Sequence, residues 1–360
     1  MTNHSKQLKI KKSQIILPIL IGLGIVVYLF ASNFDLQEFQ KISWTQHTLI
    51  WLLISVGVVA IEHLFFALRL YILSDTEFNF RKSIELIFIW KFSSAVTPTS
   101  IGGSAVALVV LSQEKLSTAK TATIVIYTII LDAIFFLIGI PILYFFVGQN
   151  IIPTADAQFF GRFGAEIILI ITYAIMLIYS ILLSYGIFIN PQKIRSLLLL
   201  CCKLPFLKRY TEKAENLGND ILLTSKEIRT KPIRYHLAAL GATFGAWIGK
   251  FTLILAIIIA LVPTLQSDTS LILLFYSKLQ TMFMLIMFFP SPGGAGFAEL
   301  AFQAFMHGYI PDMFALVIAL FWRTFSYYSY LVFGAIIIPN WVRNRWNERN
   351  DLNNKKANNS

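Results

Sequence analysis

One stretch of sequence, FPSPGGAGFAEL at residues 289–300, constrains the architecture of the whole chain because it interrupts an apolar run from 271 to 306. Proline removes a backbone hydrogen-bond donor and glycine weakens a helix, so this density of both residues stops a helix. A similar interruption, VTPTSIGGSAVALVVL at residues 96–111, breaks an apolar run from 84 to 111. The chain therefore contains two broken apolar stretches, one in each half.

The composition indicates that these stretches lie in a lipid bilayer. Of the 360 residues, 56% are hydrophobic and only 14% are charged, and the mean hydropathy is +0.68. A soluble domain carries about 25% charged residues, so this chain cannot cover its apolar content with a polar surface. We predict an all-α polytopic integral membrane protein, which excludes a cytosolic enzyme, a disulfide-rich secreted scaffold and a disordered chain. The net charge of +11 then records topology rather than a nucleic-acid partner.

The uninterrupted apolar runs are long enough to cross ~30 Å of hydrocarbon as helices. They cover residues 15–32, 48–73, 121–148, 164–189, 235–262 and 313–339. The first run exceeds the apolar part of a cleaved signal peptide, so we expect an uncleaved signal anchor. We expect a single transmembrane domain over 15–340, with a basic N-terminus at 1–14 and a basic tail at 341–360.

The distribution of lysine and arginine predicts how the chain is oriented. If 84–111 and 271–306 each return to the side they entered from, 23 of the 30 basic residues lie in cytoplasmic segments and two lie outside. If both stretches crossed instead, the loop 190–234 would place ten basic residues outside. We therefore predict six full spans and two re-entrant broken-helix hairpins. Both termini are expected in the cytoplasm, and the protein in the plasma (inner) membrane.

The two predicted hairpins enter from opposite faces, so the halves of the chain form an inverted repeat, as is typical of secondary transporters. Irregular backbone is tolerated at membrane depth only where protein buries it or water reaches it, so we expect both corners to face a shared central cavity. The alternative is that each break is an ordinary kink. The corner residues are Pro98, Ser100, Gly102, Gly103, Ser104, Pro290, Pro292, Gly293, Gly294 and Gly296.

Charged residues inside the apolar runs are the candidate functional groups, because each costs about 2.5–3.5 kcal/mol at a helix centre on insertion scales. One interpretation is structural pairing, with Asp132 bound to Lys250 or Arg323, while Arg69 near a span end extends to the interface. The other is that they line a hydrated path for an anionic headgroup. The substrate-path candidates are Glu62, Arg69, Lys91, Asp132, Lys250, Lys278, Glu299 and Arg323.

Each break should be followed by a new helix, beginning near Ser104 and near Phe297. The free N–H groups and the positive dipole end of such a helix favour phosphate or carboxylate. Glu299 would lie in the first turn of the second of these helices, where it either caps the helix or binds a proton or a cationic headgroup.

The loop 190–234 is the one sizeable polar segment. Its apolar part, 194–207, is too short to span and has basic residues at its ends, so we expect it to lie on the cytoplasmic interface. Residues 210–229 are expected either to form an amphipathic helix or to act as a solvated connector.

The two broken stretches resemble motifs of the transmembrane, flippase-like family of lysylphosphatidylglycerol synthases and their stand-alone relatives. The second resembles the family's PGG-x-G-x-x-E motif at Pro292, Gly293, Gly294, Gly296 and Glu299. The resemblance covers about 15–340 and implies translocation of a lipid with a phosphate headgroup. Bifunctional relatives carry a C-terminal aminoacyltransferase domain; this chain ends about 20 residues after its last predicted span, so we expect a stand-alone member without it.

The sequence contains no HExxH, CxxC, GxSxG or GxxxxGK[ST] motif. We therefore predict no enzymatic activity, cofactor or metal site. The leading hypothesis is translocation of an anionic lipid, either an anionic phospholipid or a polyprenyl-phosphate lipid, between leaflets. The alternatives are a secondary transporter of a small anionic solute and a membrane transferase acting on a lipid phosphate. A partner lipid-modifying enzyme bound at the cytoplasmic loop would be compatible with the last of these.

Overall fold

A computed structural model describes residues 40, 42–96, 107–114, 116–153, 162–203, 208–288, 294 and 296–358. These residues are helical almost throughout, and they include no strand. The helices are α1 (Gln46–Leu73), α2 (Phe80–Val96), α3 (Thr118–Val147), α4 (Arg162–Phe188), α5 (Pro191–Cys201), α6 (Thr211–Arg229), α7 (Ile233–Leu261), α8 (Thr269–Met287), α9 (Phe297–Met306), α10 (Asp312–Arg323) and α11 (Ser329–Asn358). A π-helical turn, Thr324–Tyr328, joins α10 to α11 without interrupting the rod.

Within the described residues, six helical segments are long and apolar enough to cross a membrane, which confirms the polytopic all-α fold. They are α1, α3, α4, α7, α8 and the continuous rod of α10 and α11 as far as Arg345. Five of them correspond to predicted spans, and the predicted span 15–32 lies outside the described residues. The sixth, α8, is the arm predicted to begin the second hairpin. Its 19 residues extend for about 28 Å, so its length is also compatible with a crossing.

The second broken stretch has the predicted helix–break–helix form. Helix α8 ends at Met287 and α9 begins at Phe297, as expected. Gly294 and Gly296 have φ values of +72° and +80°, a backbone region that glycine adopts at little cost. Helix α9 then packs back against α8. The remaining predicted corner residues, Pro98, Ser100, Gly102, Gly103, Ser104, Pro290, Pro292 and Gly293, lie outside the described residues.

The residues that flank the first broken stretch on its two sides lie close together. Helix α2 ends at Val96, and a short helical segment follows at 107–112. Lys82 Nζ, in the first turn of α2, lies 3.3 Å from Glu114 Oε1, beyond the break. Arg345 Nη2, near the middle of α11, lies 2.6 Å from the other oxygen of Glu114. This is the geometry that a re-entrant hairpin requires; the position of both hairpins relative to a bilayer stays a prediction.

Helices α1 and α7 pack closely along much of their length. A Cβ atom on Gly245 would lie 2.5 Å from the Phe65 ring, and one on Gly249 would lie 3.4 Å from Glu62 Cα. Glycines four residues apart let two membrane helices approach to backbone contact. This close packing fixes the position of Glu62 relative to α7.

The cytoplasmic loop predicted at 190–234 folds into α5 and α6. Helix α6 matches the predicted amphipathic helix, and it packs on α3 and α4 instead of forming a solvated connector. Its Ile221 and Ile228 are fully buried. On α5, Leu197 and Leu200 are exposed; their contact with the membrane interface stays a prediction.

An ion cluster joins three segments at one end of the helices, and we call it the face cluster (Asp75, Lys120, Glu227 and Lys231). Lys120 contacts both Asp75 and Glu227, the latter at 3.0 Å. Lys231 lies 2.5 Å from Asp75 and 3.4 Å from Glu227. All four residues come from segments predicted to lie on the same membrane side. The structure thus groups them as the charge distribution predicts, while the assignment of that side to the cytoplasm stays a prediction.

Candidate functional site

A cavity of about 200 Å³ lies where helices from both broken stretches meet. Ser94 and Ala95 line it from the last turn of α2, and Ala298 lines it from the first turn of α9. Residues that flank both breaks therefore face one cavity, as the inverted repeat leads us to expect. The other lining residues are Lys91, Lys250, Phe283, Ile286, Trp322, Arg323, Ser326, Tyr327 and Tyr330.

Three basic side chains, Lys91, Lys250 and Arg323, line this cavity from α2, α7 and α10. Two buried carboxylates, Glu62 and Glu299, contact them. With all five groups ionised the set carries a net charge of +1. A buried charge is costly unless it is paired, so the excess positive charge favours an anionic ligand.

Glu62 is shared by two lysines, and we call this set the lysine–carboxylate cluster (Glu62, Lys91 and Lys250). Glu62 Oε1 lies 3.5 Å from Lys250 Nζ and 4.0 Å from Lys91 Nζ. Within the described ranges, neither oxygen of Glu62 makes a hydrogen bond. The ring of Phe66, one helical turn after Glu62, lies 3.5 Å from Lys91 Nζ. This contact places a cation over an aromatic face, which is a favourable arrangement.

Arg69 and Asp132 form a separate pair, with Arg69 Nη1 2.5 Å from Asp132 Oδ1. Trp247 Nε1 donates a second hydrogen bond to the same oxygen at 2.9 Å. The predicted pairing of Asp132 with Lys250 or Arg323 is therefore wrong. The expectation that Arg69 extends to the interface is also wrong, because its side chain is only 8% exposed. Both errors have one cause: sequence position gives depth along a helix, but not the neighbour that each face meets.

Arg323 of α10 pairs with Glu299 of the second broken stretch. Arg323 Nε lies 2.8 Å from Glu299 Oε1, in the first turn of α9. The guanidinium carbon lies 4.1 Å from the ring centre of Tyr327, and the Tyr327 hydroxyl donates to the Ala95 carbonyl oxygen at 3.2 Å. Tyr327 belongs to the π-helical turn, a feature that often occurs at functional sites. A chain of contacts thus runs from α9 through Arg323 and Tyr327 to α2.

Lys278 is not among the residues that line the cavity. It is fully buried in α8, where Nζ donates to the Ile152 carbonyl oxygen at 3.0 Å and lies 5.0 Å from the Tyr309 ring centre. The structure therefore brings together five of the eight substrate-path candidates at the cavity and places Arg69 and Asp132 in a pair of their own. In the part of the chain that is described, no three His, Cys, Asp or Glu side chains group as metal ligands.

Sequence reasoning missed the aromatic residues of the site, among them Phe66 and Tyr330. Tyr330 lines the cavity and its hydroxyl lies 3.2 Å from His63 Nδ1. The chain has 31 phenylalanines and 14 tyrosines, so an aromatic residue in a span is no signal by itself. A lysine and an aromatic residue at matching depths on two neighbouring helices would have indicated such a contact. Only the fold shows which helices are neighbours.

Comparison with known proteins identifies the family. The family model described as the lysylphosphatidylglycerol synthase TM region matches residues 15–334. The chain belongs to this family. It is also similar to a UPF0104 membrane protein of Archaeoglobus fulgidus, at 24% identity over 335 residues that cover 89% of this chain and 95% of the relative. No solved structure matches the chain. The family match confirms the resemblance seen in the two broken stretches, and lysylphosphatidylglycerol synthase family membership fits a lipid-related role in the membrane.

Proposed function

We propose that this protein moves an anionic lipid with a phosphate headgroup between the leaflets of the membrane. The observation that carries the proposal is the cavity between the two broken stretches, where three basic side chains meet two carboxylates. Charged phosphate oxygens form strong hydrogen bonds with ammonium and guanidinium groups. Membership of the lysylphosphatidylglycerol synthase TM region family supports a lipid rather than a soluble substrate.

The size of the cavity supports a division between headgroup and tails. A volume of about 200 Å³ is many times the roughly 10–15 Å³ that one water requires, which is room for a polar headgroup. Each CH₂ group kept in hydrocarbon contributes about 0.8 kcal/mol, so the tails are more stable in the bilayer. The headgroup would therefore travel through the protein while the tails remain in lipid.

The contacts around Arg323 suggest how the cavity changes its access. Arg323 holds Glu299 of α9, and Tyr327 holds the end of α2 through the Ala95 carbonyl. A phosphate that binds Arg323 would compete with Glu299 and loosen the contact between the two broken stretches. Movement of one repeat against the other is the usual basis of alternating access.

The alternative substrate is a small anionic solute, which the same charges would attract. Proteoliposomes distinguish the two. Phosphatidylglycerol with a fluorescent, dithionite-bleachable acyl chain reports leaflet transfer, and radiolabelled glycerophosphoglycerol reports transport of the free headgroup. Phosphatidylcholine labelled in the same way is the matched control, because it has the same tails and no net charge.

We expect the purified protein to accelerate the transfer of labelled phosphatidylglycerol well beyond that of phosphatidylcholine, without uptake of glycerophosphoglycerol. Uptake of the free headgroup without lipid transfer would instead support a solute carrier. No acceleration for any anionic lipid, including a polyprenyl phosphate, would overturn the proposal.

A further inference from the structure

The lysine–carboxylate cluster differs from the other buried ion pairs in its charge balance. Among the described residues, Arg69 contacts Asp132 at 2.5 Å and Arg323 contacts Glu299 at 2.8 Å. In the cluster, two lysines share Glu62 at 3.5 and 4.0 Å. The longer contacts and the second ammonium group place the excess positive charge of the site on Lys91 and Lys250.

The order of the three groups from the cavity inward is equally informative. Lys91 and Lys250 line the cavity, and their side chains are 23% and 16% exposed. Glu62 is not a lining residue, and its side chain is 1% exposed. An anion that enters the cavity therefore meets the two ammonium groups first, with the carboxylate behind them.

The surroundings hold the two lysines in place without neutralising them. Lys250 Nζ lies 5.0 Å from the Trp247 ring centre and 5.5 Å from that of Phe283. Lys91 Nζ lies over Phe66. Aromatic faces attract a cation but carry no net charge, so they keep the ammonium groups available to an anion.

We propose that Lys91 and Lys250 together bind the phosphate of the headgroup and that Glu62 is the internal counter-ion they hold when no substrate is present. The site then selects a headgroup with one negative charge, a phosphodiester. A phosphodiester balances the net +1 of the cluster. A phosphomonoester carries about −1.5 to −2 at pH 7 and would leave the site with excess negative charge. This inference rests on the proposed function, because it names the substrate class of the same cavity.

Binding by the full-length protein in detergent tests the charge match directly. The probes for isothermal titration calorimetry are short-chain phosphatidylglycerol, a phosphodiester, and short-chain phosphatidic acid, a phosphomonoester. The wild type should bind the phosphodiester about tenfold more tightly, which corresponds to 1.4 kcal/mol. Lys250→Gln should weaken phosphodiester binding by about tenfold or more, because it removes the excess charge. Lys226→Gln, the same change at an exposed position of α6, is the matched control and should stay within about twofold.

The charge-neutralising variants separate this proposal from a structural role. Glu62→Gln raises the net charge of the cluster to +2, so it should shift the preference toward the phosphomonoester. The double variant Glu62→Gln/Lys250→Gln returns the cluster to +1 and should regain phosphodiester affinity to within about threefold of the wild type. A double variant no better than Lys250→Gln alone would overturn the proposal, as would unchanged selectivity in Glu62→Gln. If Lys250→Gln fails to fold, the selectivity ratio of Glu62→Gln still decides, because both probes are measured on one preparation.

Comparing binding with leaflet transfer separates this inference from the proposed function. If the protein prefers the phosphodiester but does not transfer lipid, the phosphate site is supported and lipid translocation is overturned. If lipid transfer does not change when Lys91, Lys250 or Glu62 is substituted, the phosphate site is overturned and lipid translocation is supported. Equal affinity for phosphatidylglycerol and for glycerophosphoglycerol supports the phosphate site and argues against a lipid as its source.

Discussion

Two clusters of charged residues in this protein contain similar groups in opposite arrangements. The face cluster has two lysines and two carboxylates, Asp75, Lys120, Glu227 and Lys231, so its charges balance. The lysine–carboxylate cluster has two lysines for one carboxylate, with longer contacts and aromatic faces in place of the second acid. A balanced cluster needs no further charge, whereas the unbalanced cluster at the cavity is the one we propose a ligand completes.

The difference teaches how to sort buried charges in a membrane protein. Residue type does not separate a structural group from a binding group, since Lys120 and Lys250 are both lysines on helices with apolar spans. Under the proposed phosphate site, charge balance, contact length and access to a cavity separate them. By these criteria Arg69 and Asp132 belong with the structural group, although they lie close to the cavity residue Lys250 through Trp247.

The largest expected effect tests whether the Arg69–Asp132 pair is structural. Asp132→Asn leaves the Arg69 charge buried without an opposite charge, which should destabilise the protein by about 3 kcal/mol or more. Thermal unfolding of the purified protein, followed by tryptophan fluorescence, measures this. The double variant Arg69→Met/Asp132→Leu should recover most of the loss. If Asp132→Asn unfolds like the wild type but loses lipid transfer, the pair belongs to the substrate path instead.

A smaller effect is expected within the face cluster. Lys120→Met leaves Asp75 and Glu227 with Lys231 alone, and we expect a loss of about 2 kcal/mol in the free energy of unfolding. Lipid transfer per folded molecule should not change, because none of the four residues is among those that line the cavity. Lys226→Met is the control, since its side chain is exposed on the same helix as Glu227. If Lys120→Met impairs lipid transfer but leaves the stability unchanged, the distinction between the two clusters is wrong.

The packing of α1 on α7 provides a third test, because it positions Glu62 beside Lys250. Gly245→Ala places a Cβ atom 2.5 Å from the Phe65 ring, which should cost about 1 kcal/mol or more as the helices separate. Gly241→Ala is a matched control on the same helix, with nothing within 4 Å of its new Cβ. It should be neutral or stabilising by about 0.5–1 kcal/mol. Equal melting temperatures for the two variants would show that close helix contact does not position Glu62.

The smallest effect is a pH dependence of the face cluster. Partial burial acts to raise the pKa of the Glu227 carboxyl, but hydrogen bonds and charge from Lys120 and Lys231 outweigh it and hold the pKa below its usual value. A carboxyl with a lowered pKa in the folded state stabilises the protein above its unfolded pKa, about 4.3 for Glu, and loses that contribution as the pH falls through the folded value. Melting temperatures from pH 7 down to pH 3 should therefore fall less steeply in Glu227→Gln than in the wild type. Parallel curves would exclude Glu227 as a contributor.

Sequence reasoning located the eight charged candidates but mispaired one of them. Asp132 and Arg69 are 63 positions apart in the chain, and their contact depends on how α1, α3 and α7 are rotated about their axes. The same limit applies to the aromatic faces around Lys91 and Lys250. By contrast, the start of α9 at Phe297 was predictable, because the glycines and prolines that end α8 act on their own immediate backbone.

The amino-acid sequence alone determined that this chain is a multi-pass helical membrane protein of the lysylphosphatidylglycerol synthase TM region type with two interrupted helices. Hydrophobic length, charge and the helix-breaking residues are local properties, so they can be read directly along the chain. Only the tertiary structure decided which buried charges contact each other and which of them line the cavity. Those contacts are a few ångströms long, and they depend on helix rotation and close packing, which no spacing within a single helix specifies.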